Sequence, residues 1–143
     1  MVLKQLLGHW TLIKMSAISE DSDEIFPIGQ NVRGLLTYAA NGIMSAQIGS
    51  TMRPNFIDPD YRNGSSDEII EAFNGYISYF GKYSVHEERK FIIHDVEMSL
   101  FPNWVSTKVK RYYELDMDML ILKATPISYD GILRTPTLVW KKL

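Results

Sequence analysis

Eight short runs of alternating apolar and polar residues, most of them joined by brief turns, dominate this sequence. They cover residues 10–18, 33–38, 43–48, 82–86, 91–98, 105–115, 119–125 and 135–142. A period of two sends successive side chains to opposite faces of a strand, so each run has one face to bury and one to expose. Asn41-Gly42 separates the second and third runs, and both residues tolerate the positive φ of a tight hairpin. The charged tip HEERK at 86–90 and Asp116-Met117-Asp118 separate two further pairs. Strands that follow one another through hairpins make a meander, and a meander of this length removes its edges by closing on itself. The expectation is all-β: an eight-stranded antiparallel up-and-down barrel.

One segment departs from the period. Ser65 and Glu68 have the spacing of a capping box. Ile69, Phe73, Tyr76, Ile77 and Phe80 then recur at helical spacing, and Gly81 follows as a stop. The pattern predicts a helix over residues 66–80, inserted between strands three and four. It would lay Ile69, Phe73, Ile77 and Phe80 over one opening of the barrel. The preceding residues, 49–64, are rich in Pro, Asn, Asp and Gly and form a long loop, expected to control access to the interior. Asp58 and Asp60 flank Pro59 and read as turn chemistry.

Composition narrows the function classes. The 143 residues suit one domain with a real core, so a single barrel over 1–143 is expected. With 15 basic and 17 acidic residues and a net charge of −2, nothing draws the chain to nucleic acid or to anionic membrane. The absence of cysteine excludes disulfides, thiolate metal sites and cysteine nucleophiles. His9, His86 and His94 lack metal-ligand spacing, so no metal is expected. No phosphate loop, dinucleotide fingerprint or nucleophile elbow appears, so no cofactor is expected either. No apolar run approaches the roughly 20 residues that span a bilayer, and no cleavable leader is visible. The default is a cytoplasmic protein without membrane insertion, its oligomeric state left open.

Five stretches resemble a known family. Leu7-Gly8-His9-Trp10 is similar to the Gly-x-Trp signature of lipocalins. FPIGQNVRGLLTYAANGIMSAQI (26–48), EAFNGYISYFGKYSV (71–85), IIHDVEMSLFPNWV (92–105) and LVWKKL (138–143) resemble a narrower group, the small bacterial and fungal lipocalin-like domain proteins. The resemblance implies an eight-stranded calycin barrel with an internal cavity, and no particular reaction. It also implies that Trp10 plugs the closed end under a basic residue from near the chain's end, with Lys141, Lys142 and Arg134 as candidates. Asp95 and Met98 depart from the group's pattern, where His and a small residue are expected, so a role for paired histidines is not carried over.

The most informative pair is His94 and Arg111. His94 alternates with Ile92, Val96 and Met98, and Arg111 with Val109, Tyr113 and Leu115. If those faces point inward, an imidazole and a guanidinium enter an apolar barrel, and each needs a partner, water or a ligand. Two other readings compete: an ion pair of Arg111 with Glu97 or Glu114, or a register one residue off that turns both side chains to water. Tyr38, Ser45 and Gln47 on the first hairpin, Tyr83, and then Arg53, Tyr76 and Tyr79 complete a polar and aromatic set. The ligand-binding candidates are therefore Tyr38, Gln47, Arg53, Tyr83, His94 and Arg111. Phe101-Pro102-Asn103-Trp104 must break the ladder at the proline and reads as a rim or corner.

Three functions fit. The first is binding of a small hydrophobic or amphipathic molecule in the cavity. The second is a cofactor-independent isomerase, cyclase or dehydratase with His94 as acid or base and Arg111 polarising a carbonyl. The third is a structural or partner-binding barrel with a filled interior. Fold alone does not separate them.

Overall fold

Ten strands form one antiparallel sheet in the computed structural model, which describes residues 1–143. A short N-terminal helix α1 (Val2–Leu6), absent from the sequence-based expectation, leads into β1 (Gly8–Ile18). There follow β2 (Glu24–Ile25), β3 (Val32–Tyr38), β4 (Ile43–Ser50), helix α2 (Ser66–Asn74), β5 (Tyr76–His86) and β6 (Phe91–Ser99). A 3₁₀ turn (Pro102–Trp104) precedes β7 (Lys108–Asp116), β8 (Met119–Lys123), β9 (Ile127–Tyr129) and β10 (Ile132–Lys142). Strand order follows chain order from β3 to β8, and β1 pairs with both β3 and β10, which closes the barrel. Eight strands close it; β2 and β9 are short additions at the ends of the order. No helix is long and apolar enough to cross a membrane.

The predicted helix is shorter than its spacing suggested. Its start is as read: Ser65 caps it, with the reciprocal Ser65–Glu68 hydrogen bonds of a capping box. It lies between β4 and β5, which are the third and fourth barrel-closing strands because β2 adds one to the count. It ends at Asn74, however, and Tyr76, Ile77 and Phe80 belong to β5, paired with Gly49, Ile48 and Ser45 of β4. A Tyr-Ile-Ser-Tyr-Phe run is better strand than helix former, and the ladder to β4 decides the contest. Of the four residues expected to face inward, Ile69, Phe73 and Phe80 are 49%, 42% and 44% exposed, while Ile77 does turn to the interior, as a strand residue. Gly81 is a bulge glycine rather than a helix stop. The register shifts between Phe80 and Gly81, and a Cβ on Gly81 would lie 1.9 Å from the Asp95 carbonyl oxygen.

A second irregularity sets the interior of β1. The pairing with β10 shifts between Leu12 and Lys14, so Trp10 and Leu12 are buried before the bulge and Met15 and Ala17 after it. Lys14, which strict alternation from Trp10 and Leu12 would turn inward, reaches Glu24 outside the barrel at 3.0 Å.

One end of the barrel is plugged. Trp10 is wholly buried, and its indole N–H donates to the Leu6 carbonyl at 2.9 Å. The Lys142 ammonium lies 4.5 Å from the Trp10 ring centroid and donates to the carbonyls of Gln5 (3.0 Å) and Leu7. Of the three basic candidates, Lys142 covers the plug. Arg134 is bound elsewhere, to Asp23 and to the Tyr129 carbonyl at 3.1 Å, where it ties β9 to the β1–β2 connection.

Candidate functional site

The other end of the barrel is hollow. A cavity of about 500 Å³ is walled by Met15, Ile48, Ile77, Val109 and Leu138, and rimmed by Ile28, Phe73, Phe101, Trp104 and Tyr129. Its volume is that of an ordinary small-molecule site. Phe101-Pro102-Asn103-Trp104 makes the expected corner as a 3₁₀ turn, and it also supplies a wall. The Trp104 indole meets Tyr79 edge to face at 5.6 Å and Phe101 at 5.7 Å.

Arg111 enters this cavity with Val109, on the face that alternation gave it. Its one protein acceptor is the neighbouring Lys110 carbonyl, at 3.1 Å. None of the five ion pairs includes it, and Glu114 is held by Lys123 at 2.9 Å. Both competing readings of Arg111, a carboxylate partner and a register that exposes it, are overturned. No other cavity-lining residue carries a charge, since no Asp, Glu, Lys or His is among them.

His94 also points inward but stops short of the cavity. It is fully buried, and both ring nitrogens are engaged: Nε2 with the Tyr38 hydroxyl at 2.7 Å, Nδ1 with the Tyr79 hydroxyl at 2.8 Å. Tyr79 lines the cavity; His94 and Tyr38 lie behind it. Burial, and secondarily the Arg111 charge, hold the His94 imidazole well below its ordinary value, so it is neutral. Burial pushes the Tyr38 phenol well up. The Tyr83 ring packs against Tyr38 at 4.8 Å, tilted by 60°, and its hydroxyl donates to the Ala39 carbonyl at 2.8 Å, a supporting position rather than a cavity-lining one.

Two expected residues lie outside the barrel. The β3–β4 register pairs Tyr38 with Met44 and Leu36 with Ala46, so Met44, Ala46 and Ile48 share the inner face and Ser45 and Gln47 the outer one. Gln47 accepts a hydrogen bond from Tyr76 at 2.9 Å, and Arg53 sits 4.7 Å over the same ring while donating to the Ala72 carbonyl. With Arg33 they edge an outer groove. The loop at 49–64 contributes no lining residue to the cavity. Its turns are organised by Asp58, Asp60 and Asn63, and Glu68 of α2 accepts from the Ile57 amide at 2.7 Å. Asp58 and Asp60 thus do turn chemistry, as read.

Sequence reasoning counts Tyr79 in the polar and aromatic set but sets it on a helix and leaves it out of the ligand-binding candidates, because helical spacing over 69–80 masks a strand. The signal against that helix was the unbroken run YISYFGKYSV, which is strand-like throughout. No group of His, Asp or Glu side chains is arranged to hold a metal ion.

A meander closed around one hollow, with a plugged base under the N-terminal Trp and a rimmed mouth, is a calycin-type barrel. The chain belongs to the lipocalin-like domain family, whose profile matches residues 7–143. It is also similar to the 4'-hydroxy-3'-methoxypropiophenone carrier protein ppsC of Aspergillus oryzae, 31% identical over 107 residues, which cover 70% of this chain and 96% of the relative.

Proposed function

We propose that the protein is a binding or carrier module for one small amphipathic molecule, aromatic in character and bearing an oxygen function. The carrying observation is the cavity, which is apolar on nearly every wall but holds one guanidinium without a carboxylate partner. A part-buried charge among apolar walls is costly unless something answers it, and a ligand oxygen does so when bound. Trp104, Tyr79, Phe101 and Phe73 give a flat ring edges and faces to meet. The similarity to a carrier of an aryl ketone supports the same reading.

The enzymatic alternative, with His94 and Arg111 as catalytic pair, has weaker support. His94 makes no contact with the cavity, both its nitrogens are occupied, and its electrostatic surroundings oppose the imidazolium. A proton abstraction needs a base within reach of the substrate, and no carboxylate or imidazole lines the space.

The test is a fluorescence titration with 4'-hydroxy-3'-methoxypropiophenone. Saturable one-site quenching is expected, diminished in Trp104→Phe, whose indole borders the cavity. The double variant Val109→Phe, Leu138→Phe narrows the space and should abolish binding while its thermal transition stays cooperative. Undiminished binding by that folded variant would move the site out of the barrel.

A further inference from the structure

The hydrogen bonds behind the cavity fix the direction of the one in front. Tyr38 is wholly buried, and His94 Nε2 is the one hydrogen-bond partner of its hydroxyl in the protein. A hydroxyl with a single partner must donate to it, or its proton is stranded in an apolar interior. Nε2 is then the acceptor nitrogen, and in a neutral imidazole Nδ1 carries the hydrogen. Nδ1 therefore donates to the Tyr79 oxygen, and the Tyr79 O–H, with no other protein acceptor, is left to point at the contents of the cavity. The opposite tautomer would make Tyr79 spend its proton on His94 and would orphan that of Tyr38.

From this direction and the unpaired guanidinium we infer that the barrel binds its ligand as an oxyanion, a phenolate or enolate held between Arg111 and the Tyr79 hydroxyl. The inference rests on the binding reading above and adds the ionisation state to it. The supporting geometry is one-sided. Neutral amide and hydroxyl side chains such as Asn74, Thr125 and Tyr129 also line the space, but its one charged group is the Arg111 guanidinium. The Tyr79 O–H is held by a neighbouring donor, and no acidic side chain is there to compete for either. A charge-assisted hydrogen bond from Arg to an oxyanion is stronger than one to the neutral phenol, so the anion gains more on entry. Tyr38 and His94 act as positioning residues, keeping the Tyr79 donor aimed without touching the ligand.

The experiment uses 4'-hydroxy-3'-methoxypropiophenone, whose phenolate absorbs at longer wavelength than its phenol, and its 4'-O-methyl ether, which does not ionise. With wild-type protein the bound phenol should ionise at lower pH than the free one, with the phenolate bound about tenfold tighter than the phenol or more. Arg111→Met should erase that preference while still binding the ether, and Arg111→Lys should keep most of it. Tyr79→Phe should lose part. A bound spectrum that stays phenolic where the free compound is half ionised, or an equal preference in wild type and Arg111→Met, overturns the inference and leaves the binding reading standing. Failure of both compounds to bind overturns the two together. Independently of any ligand, ¹⁵N-labelled histidine should show His94 neutral with its hydrogen on Nδ1. Protonation at Nε2 would reverse the Tyr79 donor and overturn the proposal.

Discussion

The two ends of this barrel are made by the same strands and solve opposite problems. At the base, Trp10, Leu6 and Leu120 are wholly buried, the indole N–H is answered by a backbone carbonyl, and Lys142 seals the ring from outside. At the mouth, Phe73, Phe101 and Trp104 are only partly covered, and Arg111 has no carboxylate. The Trp10 indole and the Lys142 ammonium at the base are answered by backbone carbonyls, although the buried Trp140 indole N–H beside them has no partner; the mouth keeps a guanidinium in reserve. The difference teaches where stability and function reside. Filling the base adds packing and hydrogen bonds to the fold itself, whereas leaving the mouth hollow forgoes them so that a ligand can supply them. His94 lies between the two regimes: it is inside the core yet holds the donor that faces the cavity.

The sharpest way to break this comparison is at the plug. Trp10→Ala should cost about 3–5 kcal/mol in urea unfolding, the range for emptying a large core site, with further loss because α1 is anchored through its indole. A loss near 1 kcal/mol would mean that the base is no better packed than the mouth. Next in size is His94→Leu, expected to cost about 2–4 kcal/mol because it orphans the Tyr38 and Tyr79 hydroxyls together.

The same histidine gives a pH signature. Its folded-state value lies well below 6.5, so above 6.5 both states are neutral and its contribution is fully present. As pH falls below 6.5 the unfolded chain takes up a proton that the folded one refuses, and stability declines by up to about 1.4 kcal/mol per pH unit until the folded value is reached. The ring is held by Tyr38 and Tyr79 and lies near Arg111, and if it is the source of the slope, the slope should vanish in His94→Leu. An unchanged slope in that variant would assign it to surface carboxylates instead.

Arg111→Met separates the ends from the other side. Removing a charge that has no carboxylate partner should leave stability within about 1 kcal/mol of wild type, or raise it. Affinity for an ionisable phenolic ligand should meanwhile fall about tenfold or more. A large fall in melting temperature without ligand would show that the guanidinium supports the fold after all.

How much of this was legible in the sequence follows from the period of two. Alternation and hairpin turns carried the barrel and the inward direction of His94 and Arg111, because each depends only on neighbours along the chain; the Trp10 plug under a terminal basic residue came from the family resemblance. Three things broke the parity. The bulge near Ile13 swapped Lys14 for Met15, the β3–β4 register put Gln47 outside with Ser45, and apolar spacing over 69–80 hid Tyr79 in an apparent helix whose assumed stop, Gly81, is a bulge. One residue of slip reverses a face, and a bulge is fixed by partners far along the chain. The hydrogen-bond chain from Tyr38 through His94 to Tyr79 joins β3, β6 and β5, so no local pattern could announce it.

The smallest expected effect is on the helix that sequence reasoning placed inside. Phe73 is 42% exposed at the cavity rim and lies in the last turn of α2, which has no buried residue of its own. Phe73→Asp therefore removes little buried area. It also sets a carboxylate near a helix C-terminus, which costs only about 0.3–1 kcal/mol at an exposed site. The net loss of stability should stay under about 1 kcal/mol, within the range of ordinary surface changes plus that charge term. Binding should respond more than folding, because the substitution takes an aromatic from the rim and brings a negative charge toward the ligand. A few-fold weakening is expected for a phenolate and less for its methyl ether. If urea unfolding instead shows a loss of about 3 kcal/mol, the scale of a core deletion, α2 is part of the packed structure and the contrast between a filled base and a reserved mouth fails at this residue.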